Sequence, residues 1–126
     1  MKIRLCTTLA LLAATACGSA AARAATYPVS GSWTYENASE KGPAKSCGKR
    51  NMRFEGNLRY DTGSGVPEYK NVSVRPSGPA TSAVADEFFT GMMRGRVYYS
   101  LRIVDPDHIE LKLDKTGGTT LLRRCG

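Results

Sequence analysis

The chain is poor in the residues that support catalysis and metal binding: 126 residues contain one histidine, one tryptophan and no cysteine pair at C-x-x-C spacing. A metal site draws on several ligands, and a general base needs both a nucleophile and a group that orients it. His108 has neither kind of company in sequence, and its parity with Glu110 and Lys112 places it on the wet face of a strand. Asp105 and Asp107 read as turn carboxylates, because a Ca²⁺ loop would need further acidic ligands. Asp86 and Glu87 are neighbours, and neighbours on a strand point to opposite faces, so they cannot serve as a hydrolytic carboxylate pair. Gly63-Ser64-Gly65 lacks the spacing of a phosphate loop. No enzyme activity, metal or cofactor is expected.

Long apolar runs are scarce too. The longest, Leu5 to Ala16, has about 12 residues, against the ~20 that a membrane-crossing helix needs. Lys2 and Arg4 precede it and Ala22-Arg23-Ala24 follows, so residues 1–24 read as a secretory signal with the mature chain starting at Ala25. Lipid attachment at Cys17, which directly follows Ala14-Thr15-Ala16, is the alternative. Residues 25–126 then form one small domain that is periplasmic or extracellular. Its cysteines are Cys47 and Cys125, and two thiols left in an oxidising compartment pair as a disulfide. Closing so long a loop is worth roughly 4–5 kcal/mol in the chain-entropy model.

Charge excludes less. The full chain carries net +7; without Lys2, Arg4 and Arg23, 15 basic residues face 11 acids, a net of +4. No nucleic-acid reader motif accompanies this, and nucleic acid is not an expected partner. The basic residues gather around Cys47 as Lys41, Lys45, Lys49 and Arg50, with Arg53 beyond, where a solvated loop is the plain reading and weak contact with an anionic surface the other.

What is present is alternation. Asn51 to Tyr60 places Met52, Phe54, Gly56, Leu58 and Tyr60 on one parity, with Arg53, Glu55, Asn57 and Arg59 on the other. Arg94 to Val104 and His108 to Leu113 form a hairpin through Asp105-Pro106-Asp107, since Pro106 presets φ for a type I turn. Lys115 to Gly118 turns into a last strand, Thr119 to Arg124, that delivers Cys125. Ser30 to Tyr35 and Glu68 to Arg75 read as further strands, the latter with Val72 and Val74 on one face. Ala83 to Met93 fits either a strand or one helical turn. Glu36 to Ser46, Asp61 to Pro67 and Pro76 to Ser82 read as loops. The predicted fold is all-β, a single antiparallel meander of about six to eight strands rolled toward a small barrel, with a two-sheet sandwich as the alternative.

Gly31-Ser32-Trp33 near the mature start, the meander, and a final strand ending in Arg124-Cys125 resemble the small exported lipocalin-like barrels, which include bacterial inhibitors of secreted proteases. The resemblance implies a barrel whose first strand carries Trp33 at one closed end. The functional expectation is a monomeric, non-enzymatic binding protein for a small apolar or amphipathic ligand. The alternative is an interaction protein, such as an inhibitor of an envelope or secreted hydrolase. Trp33, Phe88, Phe89, Met92, Met93 and Tyr98 are the candidate contact residues, because Phe88-Phe89-Thr90-Gly91-Met92-Met93 cannot turn every apolar side chain to one face.

Overall fold

Eight strands carry residues 26–126, the part of the chain that the computed structural model describes: β1 (Gly31–Thr34), β2 (Asn51–Glu55), β3 (Leu58–Asp61), β4 (Tyr69–Gly78), β5 (Thr81–Phe89), β6 (Arg94–Asp105), β7 (His108–Leu113) and β8 (Thr119–Cys125). The signal read over residues 1–24, with Cys17, lies outside the described residues. Each strand pairs antiparallel with the next, and β8 returns to β1 through Ser32↔Cys125, Trp33↔Arg124 and Thr34↔Arg123. The meander therefore closes as a barrel rather than splitting into a sandwich, and the β4–β5 hairpin runs on past the barrel wall, since β3 meets β4 only at Leu58↔Lys70 and Arg59↔Tyr69.

Local chemistry explains where the strands depart from the simple alternation. Asn51 to Tyr60 is not one strand: Glu55 pairs with Leu58, and Gly56-Asn57 form a two-residue turn in which Gly56 takes φ 64°. A left-handed first turn residue suits glycine, which has no Cβ to clash. The turn reverses the inward parity, so Met52 and Phe54 stay inside while Arg59 is buried in place of Leu58 and Tyr60. A register shift between Asn71 and Ser73 likewise separates Val72, which faces solvent, from Val74, which packs on the core. Pro76 to Ser82 is mostly strand: β4 and β5 run into it and leave only Pro79-Ala80 as the turn. Ala83 to Phe89 is strand throughout, with no helical turn.

The core gathers toward one end of the barrel. Trp33, Phe54, Leu101, Ile109 and Leu122 are sealed there, and Tyr27 packs edge-on against Phe54 with centroids 4.9 Å apart. Arg124 lies over the Trp33 ring at 4.3 Å. Outside the wall, the segment joining β1 to β2 runs down over β7 and β8. Its Ala44 bridges to Cys125, and Cys47 is disulfide-bonded to Cys125.

Ala80 holds φ 52° at the second turn position, a conformation costly for a residue with a Cβ. Replacing it with glycine relieves that strain, so Ala80→Gly is expected to stabilise the protein by about 0.5–1 kcal/mol in chemical denaturation.

Candidate functional site

Opposite the sealed end, the barrel interior turns polar. Arg59 on β3 and Asp86 on β5 both point inward, at 4% and 0% exposure. Arg59 Nε donates to Asp86 Oδ2 at 2.8 Å, the Tyr99 hydroxyl donates to the same oxygen at 2.8 Å, and Asn71 Nδ2 donates to Oδ1 at 3.1 Å. Each residue reaches the carboxylate because strand register puts it there: Asn71 is the cross-strand partner of Asp86, and Arg59 that of Tyr69. The guanidinium consequently lies over the Tyr69 ring at 3.9 Å and within 5.1 Å of the Tyr99 ring centre. Such stacking suits a planar, weakly hydrated cation.

Burial lifts the Tyr99 phenol well above its ordinary range, with the Asp86 charge reinforcing it and Arg59 opposing it. Desolvation works against the Arg59 cation, but neighbouring Tyr99 and Asp86 more than offset it and raise its pKa. Tyr27, raised first by burial and then by the Asp86 charge, approaches the same carboxylate without a properly aimed hydrogen bond.

Above this floor lies a cavity of about 260 Å³, whose walls include Tyr35, Asp61, Tyr69, Val97, Leu111 and Leu113. Asp61 Oδ1 accepts from the Tyr35 hydroxyl and the Gly63 amide, both at 2.8 Å, and Oδ2 sits 3.7 Å from Arg59 Nη1. Burial, followed by the bond to Asp61, raises the Tyr35 pKa. Larger hollows open elsewhere on the surface, one beside the segment over β8 and another of about 520 Å³ at the opposite end beside Tyr27, Trp33 and Arg124, but neither has a pair of buried charges on its floor. The mouth is the hollow floored by buried charge.

The residues singled out in the sequence are distributed differently. Trp33 is 1% exposed at the far end. Phe88 is half-buried on the rim, edge-on to Tyr69 at 5.7 Å, and covers Gly95, where an added Cβ would meet its ring at 2.7 Å. Phe89, Met92 and Met93 project from the β5–β6 turn, Met92 at 96% exposure, and Tyr98 lies on the outer wall. Lys41, Lys45, Lys49 and Arg50 are exposed, with Arg50 stacked on Tyr35 at 4.7 Å. Arg59, Asp61 and Asp86 escaped sequence reasoning. Their one signal was a glycine-asparagine step, Gly56-Asn57, inside an otherwise regular alternation.

His108 corrects its expectation. It faces outward as parity requires, yet is 8% exposed because the β1–β2 segment covers it. Nδ1 lies 2.8 Å from Asp105 Oδ1 and Nε2 lies 2.6 Å from the Glu40 carbonyl oxygen. Both neighbours are acceptors, so both ring nitrogens donate when the ring is cationic. Beside it Arg123 donates to the carbonyls of Gly42, Lys41 and Pro43 and to the Glu40 carboxylate. Among the described residues no group of three or more His, Cys, Asp or Glu is placed to hold a metal. Comparison with protein-family models, curated proteins and solved structures finds no match.

Two outcomes follow from this geometry. Asp86→Asn keeps the shape but leaves the buried Arg59 cation with only the more distant Asp61 carboxylate, and is expected to cost up to about 3 kcal/mol of stability by chemical denaturation. The bond to Asp105 raises the His108 pKa above 6.5, desolvation opposes it, and Glu40 adds to the rise, while His108 lowers that of Asp105. Stability from protonated His108 is therefore complete below pH 6.5 and disappears as pH climbs through the raised value. Melting temperature should fall over that interval in the native protein and stay flatter in His108→Gln.

Proposed function

We propose that this is an exported, non-enzymatic barrel that binds a small amphipathic ligand at its open end. The observation that carries the reading is the cavity above Arg59: a pocket with a buried polar floor and apolar walls is the usual form of a ligand site. At about 260 Å³ it is smaller than the ~300–1,000 Å³ of drug-sized sites. The ligand is correspondingly small, and it does not thread the barrel, since Met52, Phe54 and Leu101 fill the interior beneath. The eight-stranded closed meander with Trp33 at its sealed end supports the likeness to lipocalin-like barrels. The Cys47–Cys125 disulfide supports export to an oxidising compartment.

A second reading is favoured by the β5–β6 turn. Phe89 at 61%, Met92 at 96% and Met93 at 62% exposure form an apolar tip next to Arg94 and Arg96. Such a tip suits insertion into a cleft of another protein, as an inhibitor of a hydrolase would do.

Nuclear magnetic resonance titration with benzyl alcohol, a neutral amphipathic probe, tests the first reading. Leu111 and Leu113 methyl signals are expected to shift saturably, and Leu113→Trp, which fills the mouth from a 42% exposed position, should abolish the effect. Absence of saturable shifts at that end overturns it. In that event, loss of a stoichiometric protein partner on joint Phe89→Ser, Met92→Ser and Met93→Ser substitution identifies the turn as the working surface.

A further inference from the structure

We propose that the mouth binds an apolar α-amino acid, with its carboxylate on Arg59, its ammonium on Asp61 and its side chain against Val97, Leu111 and Leu113. This rests on the mouth reading and names the ligand class. Arg59 commits Nε to Asp86 and brings Nη1 to the Met52 sulfur at 3.9 Å; among the described residues Nη2 donates to nothing. Asp61 uses Oδ1 for both of its side-chain hydrogen bonds, and among the described residues Oδ2 accepts none, its nearest charge being Arg59 Nη1 at 3.7 Å. Among the described residues the sealed polar atoms without partners are Tyr27 Oη and Asn71 Oδ1, and neither Arg59 Nη2 nor Asp61 Oδ2 is among them. Their side chains are only 5% and 10% exposed, and the cavity is the space they line together.

A donor edge and an acceptor edge of opposite charge thus stand side by side, with Nη1 and Oδ2 3.7 Å apart. In an α-amino acid the ammonium and carboxylate share one carbon, and standard bond lengths put their nitrogen and oxygen about 3 Å apart. A zwitterion pairs both edges and brings no net charge. A simple carboxylate would sit beside Asp61, and a simple amine beside Arg59, each against a like charge in a poorly hydrated space. The aliphatic wall of Val97, Leu111 and Leu113 takes the side chain. The cavity of about 260 Å³ equals roughly nine water volumes at ~30 Å³ each, enough room for a leucine with some water beside it.

The test titrates the mature, disulfide-bonded protein with L-leucine, 4-methylpentanoate and 3-methylbutylamine, which differ only in the charged groups. Leucine should bind at least about tenfold more tightly than either analogue, the value of one charge-assisted hydrogen bond. Asp61→Asn keeps the acceptor toward Tyr35 and Gly63 but removes the charge. It should weaken leucine about tenfold while strengthening 4-methylpentanoate, opposite changes that general loosening of the fold would not produce. Leu113→Trp should abolish binding of all three and so covers the case in which Asp61→Asn does not fold. The proposal is overturned if leucine does not saturate, if either analogue equals it, if a folded Asp61→Asn leaves the ratio of leucine to 4-methylpentanoate affinity unchanged, or if Leu113→Trp leaves leucine binding intact. Should benzyl alcohol still saturate the mouth in those cases, only the ligand class falls; if it does not, the mouth reading falls as well.

Discussion

A guanidinium and a carboxylate inside a β-barrel impose the constraint around which this molecule is arranged. Arg59 and Asp86 are 4% and 0% exposed, and two charges at that depth are tolerable only when each finds partners. Asp86 collects donors from three different strands: Arg59 on β3, Asn71 on β4 and Tyr99 on β6. A shift of any of these strands by one residue would swing its side chain to the outer face and leave the charge unmet. The network therefore reinforces the register that burial of the inward apolar face already favours. The dry layer of Trp33, Phe54, Leu101, Ile109 and Leu122 supplies the larger apolar burial, and the polar layer adds to the alignment.

That division also explains why the two ends differ. Large rings fill one end and Tyr27 closes over them, whereas the interior at the other end is occupied by flat, stacked groups: the Arg59 guanidinium and the Tyr69 and Tyr99 rings. Stacked planes do not fill a cylinder as branched aliphatics do. A hollow remains above them, and its floor is polar because the network is. The outer wall solves a different problem. The long β1–β2 segment has no strand to pair with beyond its Ala44 bridge, so side chains satisfy its carbonyls, with Arg123 serving three and His108 a fourth. The disulfide holds the returning part of the segment to the end of β8.

Much of the architecture was legible because it depends on local signals. The Asp105-Pro106-Asp107 turn formed as read, with Asp105 Oδ1 accepting the Asp107 amide at 2.8 Å, and Cys47 met Cys125. The interior polar layer was illegible for a specific reason. A two-residue hairpin preserves the alternating look of a sequence while reversing which parity faces inward, so Asn51 to Tyr60 read as one strand with Arg59 outside. The bulge after Asn71 worked the same way on Val72 and Val74. His108 and Arg123 were hidden differently: their parity was outward, but a segment some 70 to 80 positions away in sequence covers them, and no local pattern reports that.

Barrel closure also distinguishes the apolar residues that matter for contact from those that do not. Closure pairs most of the wall, leaving free chiefly the outer edge of β4 beyond Asn71, so contact falls mainly to the ends and the turns. At one end Arg124 covers the Trp33 ring beside a surface hollow that lacks the buried ion pair of the other. The remaining features, the mouth and the β5–β6 turn, belong to the same continuous hairpin: Val97 and Tyr99 line the cavity a few residues from Met92 and Met93. Gly95 lies between them, under the Phe88 ring, where a Cβ would force the ring away. Phe88 thereby packs the rim against Tyr69 and, through it, against the Arg59 stack. A change at the turn that displaced Phe88 would reach the floor of the cavity through two ring contacts, so the exposed tip and the buried charge pair are mechanically joined.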